Sequence, residues 1–201
     1  MEKYKKFKDA FLGNSDFHPM KQSLIEMYKD KLPEDLLLFW SEIGMGRFND
    51  GLFRLIEPEE YQSLVDNYIE DGKRYFEYTI PFMTTAFGDI FVWVKDIAQN
   101  REYVIFINVR KCVWDIITSR IDLLFDLYFV SQKLYEKFFD IKVSDYSTLV
   151  EKLGIPKGDE CYAYVPALVL GGKKNLKNIQ IAKAIPYIDI ICQSVGSIDM
   201  K

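Results

Sequence analysis

Acid–base chemistry in this chain would have to come from carboxylates, because His18 is the only histidine in 201 residues and it stands beside Pro19. A catalytic zinc held by several imidazoles is excluded by a single histidine, and a Ser or Cys nucleophile would have to use His18 itself, which is expected instead to be a surface or capping residue. Two acids in unlike environments could divide general-acid and general-base roles. The adjacent pairs are Glu34/Asp35, Glu59/Glu60 and Glu70/Asp71. The first two fall at expected helix starts, where the helix dipole already favours negative charge. Asp89 follows Gly88 in a strand connection. It reads either as a hydrolytic carboxylate or as a turn residue whose side chain bonds nearby backbone.

Gly171-Gly172-Lys173-Lys174 has the residue types of a phosphate loop, but Ala167 stands where the first glycine is needed and Asn175 replaces the Ser or Thr, so a solvated turn is expected. Cys112, Cys161 and Cys192 are odd in number and far apart, which points to free buried thiols and not to a metal pair or disulfide set. No cofactor or metal is expected. With 30 acidic and 26 basic residues the formal net charge is -4, which disfavours direct binding to a phosphate backbone. The aromatics recur at core spacing and lack the basic neighbours of a base-stacking surface. An acidic chain suits a basic partner, and Glu59, Glu60, Asp66, Glu70 and Asp71 form the candidate contact; the alternative is an ordinary solvated helix face.

Apolar spacing defines the elements that must position these groups. Tyr4, Phe7 and Phe11 share a helical face, and Met20, Leu24, Met27 and Tyr28 share another. Leu32-Pro33-Glu34-Asp35 opens a helix buried through Leu36, Leu37, Trp40 and Ile43, with Gly44 and Gly46 as its stop. A strand is expected at Leu52 to Ile56, then a helix from Pro58 through Tyr61, Leu64, Val65 and Tyr68. From Ile80 the period changes to two, giving strands at 80–85, 90–94, 103–109 and 112–117. Short connections between them favour an antiparallel meander. Helical spacing resumes from Leu124 to Phe138, where 123–130 is apolar almost all round except at Asp126 and needs a cover. A helix through Tyr146 and Leu153, a strand from Glu160 to Val165 and a helix from about Pro186 to Val195 complete the chain. The fold class is α+β, an antiparallel central sheet with flanking amphipathic helices.

Two segments carry a family signal beyond periodicity. Leu32-Pro33-Glu34-Asp35-Leu36, Phe39-Trp40, Gly44-Met45-Gly46, Gly51-Leu52-Phe53 and Thr85-Ala86-Phe87-Gly88-Asp89-Ile90-Phe91-Val92-Trp93 resemble the GAD-like domain. Leu153-Gly154, Asp159-Glu160-Cys161-Tyr162, Val165 to Gly172 and Asn175-Leu176 resemble the C-terminal domain of type VI secretion immunity proteins that protect against DNase effectors. The first segment is also loosely similar to the wider immunity class related to the yeast regulator Smi1. Of the motif positions, Pro33, Trp40, Gly46, Gly88, Asp89, Trp93, Pro166 and Gly171 are expected to form the fold and not a site.

The resemblance implies a GAD-like α+β domain over 1–118 and an immunity-type domain over 119–201, with the two packed as one unit or kept separate. It further implies a bacterial immunity protein, not an enzyme, that neutralises a cognate toxin, plausibly a secreted nuclease, in a protein complex. The alternative is a Smi1-like regulatory or ligand-binding module with no toxin. The N-terminal Met1 to Lys8, charged at nearly every second position, offers no apolar segment for export, and the longest charge-free runs are too short to cross a membrane. A cytoplasmic location is therefore expected, without direct contact to membrane or nucleic acid.

Overall fold

The computed structural model describes residues 2–14, 16–69, 75–196 and 199–200. Three short helices, α1 (Lys5–Phe11), α2 (Gln22–Tyr28) and α3 (Glu34–Glu42), lead into strands β1 (Arg47–Phe48) and β2 (Phe53–Leu55) and helix α4 (Pro58–Tyr68). The meander follows as β3 (Phe76–Thr85), β4 (Ile90–Asp96), β5 (Arg101–Asn108) and β6 (Val113–Thr118). Helix α5 (Ile121–Leu123) runs directly into a π-helical stretch, Leu124–Tyr128, and is followed by α6 (Gln132–Phe139) and α7 (Val143–Leu153). Then come β7 (Glu160–Tyr164), β8 (Ile179–Lys183), α8 (Ala184–Val195) and β9 (Asp199–Met200). The main sheet has the order β1-β2-β3-β4-β5-β6-β9, antiparallel until β9 joins β6 in parallel, and β7 with β8 forms a separate ribbon.

The sheet is covered on both faces, which explains why β4 and β5 are apolar at every position over their centres instead of alternating with polar residues. Phe91, Trp93, Val104 and Phe106 point to one cluster, shared with α1, α3, α6 and the π-helical stretch. Ile90, Val92, Val94, Tyr103, Ile105 and Ile107 point to the other, shared with α4 and α8. Residue 118 ends β6, yet both clusters draw side chains from either side of it: Phe129 and Phe139 meet Phe91 on one face, and Ile188 and Ile191 meet α4 residues on the other. The hydroxyl of Tyr68 donates to the Ile188 carbonyl at that second seam.

Local chemistry fits these elements. Glu34 and Asp35 occupy the first turn of α3 and Glu59 and Glu60 that of α4, so both acidic pairs face positive helix ends. Pro58 is in the first turn of α4, whereas Pro33 sits one residue earlier than expected, at the N-cap of α3, where its extended backbone leads into the helix. Gly44 ends α3 at φ +89°, and a Cβ there would lie 2.0 Å from the His18 carbonyl oxygen. Only glycine permits that approach, through which His18 and Met45 exchange backbone hydrogen bonds at 2.8 Å.

Four expectations are corrected. Met27 is 57 % exposed, because α2 is only seven residues long and buries Leu24 alone. Leu37 is half-buried, its place in the core taken by Phe39. The run 124–138 is not one helix: the Phe129 N–H bonds to Leu124 O, five residues back, and the chain breaks before α6. Cys112 is half-buried, while Cys161 and Cys192 are buried free thiols. Asp126, the polar exception in that apolar run, accepts the backbone N–H of Phe7 at 3.0 Å and so satisfies the N-terminus of α1 from a segment distant in sequence. Its cover is α1 and α3, which leave Leu127 partly exposed.

Phe91 touches the rings of Phe53, Phe82, Phe106, Phe129 and Phe139, so it joins both halves of the chain. Phe91→Ala is expected to lower unfolding free energy by about 3–5 kcal/mol, read from urea denaturation. A loss below about 1 kcal/mol would mean that this junction does not carry the core.

Candidate functional site

The acidic candidates lie along α4. Glu59, Glu60 and Asp66 are all exposed, with Glu59 and Asp66 two turns apart on the same side of the helix. Glu70 and Asp71 lie outside the described residues. Gln62 fixes one end of the array: its amide donates to Asp66 Oδ1 at 2.8 Å and to the Thr79 carbonyl at 2.9 Å, tying α4 to β3. Beside it runs a groove of about 360 Å³ lined by Tyr28, Lys31, Asp66, Glu77, Tyr78 and Thr79 among others. Partial loss of hydration, with Glu57 alongside, raises the Glu60 carboxyl above its ordinary value. Among the described residues lining that groove there is no imidazole or thiol, and its amine is that of Lys31. The face offers carboxylates to a cationic surface.

Asp89 is not part of that face. It is fully buried, and its carboxylate accepts from Arg110 Nε at 3.2 and 3.1 Å and from Arg110 Nη2 at 2.7 Å, and from the Thr85 hydroxyl at 3.2 Å. The same guanidinium donates to the carbonyls of Phe139 and Asp140, each at 3.1 Å, at the C-terminal end of α6, and lies 4.9 Å from the Phe87 ring centroid. Burial alone would lower the Arg110 pKa, but Asp89 more than offsets it, so the side chain stays a cation. With every lone pair turned toward the interior, Asp89 has no path to a substrate and the hydrolytic reading of it falls. The turn reading is also incomplete, because the partner is a distant arginine as well as the nearby Thr85.

The remaining motif residues are placed as follows. Trp40 and Trp93 are buried in the same cluster, each with its indole N–H unpaired among the described residues. Gly46 lies where a Cβ would be 2.8 Å from both the Asp16 carbonyl oxygen and the Phe17 Cα, and Gly88 sits in the β3–β4 turn at φ +81°. Pro166 follows a cis peptide bond, and Gly171 closes the short helical turn Leu168–Leu170 at φ +85°. Lys174 in the Gly-Gly-Lys-Lys segment reaches Asp140 at 3.4 Å, consistent with a solvated turn. Among the described residues no cluster of three or more His, Cys, Asp or Glu is placed to hold a metal, and no helix is long and apolar enough to cross a membrane.

A second cleft, of about 330 Å³, was not foreseen. It is lined by Asp16, His18, Gly46, Arg47, Arg54, Leu55, Lys157 and Gly158. Arg47 holds Asp16 through Nε at 2.9 Å and Nη2 at 2.6 Å, and its backbone N–H donates to the same carboxylate at 2.7 Å. Arg54 donates to the carbonyls of Pro156 at 3.3 Å, Lys157 at 2.6 Å and Gly158. Burial raises Asp16, but Arg47 reverses the effect and holds the carboxyl below its usual value; burial lowers Arg54. Arg54 alternates with Phe53 and Leu55 in β2, a pattern that announces a strand but not that it pairs with Arg47 of β1.

Comparison with known proteins gives a consistent result. Residues 2–107 match the family model of the GAD-like domain, and residues 124–194 match that of the T6SS immunity protein Tdi1, C-terminal. No curated protein matches the chain. Among solved structures, the crystal structure of Atu4351 from Agrobacterium tumefaciens superposes with a TM-score of 0.71 at 20 % identity, over 95 % of this chain and 89 % of that one. That likeness establishes the fold.

Replacing Asp89 by Asn leaves Arg110 buried with a neutral partner and is expected to cost about 3–5 kcal/mol in urea denaturation. Replacing Asp89 and Arg110 together by Leu and Met should cost less than the sum of the two single changes. Additive losses would show that the pair is not coupled.

Proposed function

The chain belongs to the GAD-like domain family, and on that premise we propose that it is an immunity protein of type VI secretion which neutralises a cognate bacterial toxin by binding it. The observation that carries this reading is the match of residues 124–194 to the C-terminal domain of the immunity protein Tdi1, placed directly after the GAD-like segment. The toxin is a nuclease, and the protein works in the cytoplasm by occupancy, without turnover. Nucleases that bind a phosphate backbone carry clustered Lys and Arg, and the exposed carboxylates Glu59, Glu60 and Asp66 present the opposite charge on one side of α4. A rigid support behind that helix lets it meet a partner with little ordering cost: Tyr61, Leu64, Val65 and Tyr68 are all buried against the sheet and α8.

Coexpression with the product of the neighbouring gene is expected to yield a stable complex and to abolish that product's toxicity. Failure to bind or protect would remove the immunity reading. Charge reversal at Glu59→Lys with Asp66→Lys should slow association about tenfold at low salt, with a fall of a few degrees in the unfolding midpoint from the lost helix-end and Gln62 contacts. An unaltered association rate would place the contact elsewhere on the molecule.

A further inference from the structure

The cleft between the 16–18 segment, β1, β2 and the 156–158 loop plays no part in the toxin-binding reading, and its charge runs against that of the chain. Arg47, Arg54 and Lys157 line it against the single carboxylate of Asp16, although the formal net charge of the whole protein is -4. Asp16 is already held by Arg47 through two side-chain nitrogens. Other nearby acids are engaged as well: Asp159 pairs with Lys183, and Glu160 accepts the Lys157 backbone N–H at 2.9 Å.

Among the described residues Arg54 has no carboxylate in direct contact; Asp16, Glu60 and Asp159 act on it only through space. Arg54 is only 9 % exposed, the acceptors it reaches are neutral carbonyls, and its Nε–H is buried with no hydrogen-bond partner among the described residues. Burying a guanidinium in this way is costly unless an anion compensates it. The walls of the cleft are fixed on both sides. Gly46 admits the 16–17 segment so closely that a Cβ would meet Asp16 O at 2.8 Å, and the opposite wall is held by Arg54 on its three carbonyls. Lys157 is exposed at the rim, and His18 is exposed beside it.

We propose that this cleft is an oxyanion-binding site in which a phosphate or carboxylate group sits among Arg47, Arg54 and Lys157. The forks of Arg47 and Arg54 are held by Asp16 and by the 156–158 carbonyls, so the two guanidiniums attract the oxyanion by charge while the exposed Lys157 ammonium supplies a direct charge-assisted contact. The group arrives either on a small phosphate-bearing ligand or as the acidic side chain of a protein. The site does not depend on the immunity reading, since it rests on charges within this chain.

The experiment is thermal unfolding of the intact protein titrated with sodium phosphate and, separately, sodium acetate, against sodium chloride at equal ionic strength. Phosphate at about ten times its Kd is expected to raise Tm by roughly 3–6 °C, saturably. A rise with phosphate alone assigns a phosphate-bearing ligand; a comparable rise with acetate assigns a carboxylate side chain. Lys157→Ala, which leaves the carbonyl used by Arg54 intact, should weaken phosphate about tenfold. Asp16→Asn should lower the Tm of the free protein yet tighten phosphate severalfold, a gain that a purely structural cation cluster would not produce. No shift beyond that of chloride with either anion, or equal shifts in wild type and Lys157→Ala, overturns the proposal.

Discussion

Two buried guanidinium groups hold this fold in one piece. Arg110, in the β5–β6 turn, grips Asp89 from the β3–β4 turn and at the same time satisfies the last carbonyls of α6. Arg54, from β2, satisfies three consecutive carbonyls of the loop before β7. Both side chains precede the end of β6 at residue 118 and both sets of carbonyls follow it. Helix ends and loops left inside a protein carry backbone acceptors that water cannot reach, and leaving them unpaired costs more than most single side-chain contacts contribute. Arginine suits the task because one planar fork serves an acid and several carbonyls together. Asp126 does the converse, closing the N-terminus of α1 from the second half.

Around these polar joints the apolar material is continuous. The centre of the sheet is buried on both faces, and each face is covered by elements from both halves of the chain. The result is a frame with little freedom in the middle and its variation at the rim. Among the polar groups that the frame leaves at the surface are the exposed carboxylates of α4 and the cationic cleft near Arg47. They carry opposite charge and lie on different elements, so a partner that used one need not touch the other. A binding role is what this surface supports.

Much of the fold was legible because period and punctuation agreed. Tyr61, Leu64, Val65 and Tyr68 marked α4 and are all buried, and the change to period two at Ile80 marked the meander whose register pairs Trp93 with both Ile80 and Val104. Ribbon strand β8 was missed, although Ile179 and Ile181 alternate with Gln180 and Ala182, because five residues beside a lysine-rich turn carry little weight alone. Strands β1 and β9, two residues each, have no period to read. The acidic residues of α4 could be named from sequence, whereas the cleft could not, since Asp16, Arg47, Arg54 and Lys157 become neighbours only when distant loops close.

The sequence by itself determined the class of the fold, the helix starts and the meander, since each follows from residue type and short spacing. Tertiary structure alone decided what Asp89, Arg54 and Asp126 do. A charged residue declares its chemistry in the sequence, but whether it faces water, a counter-ion or an orphan carbonyl depends on which chain segment is folded against it. That is why Asp89, which sequence could place in a turn, proved to be half of a buried ion pair joined to Arg110.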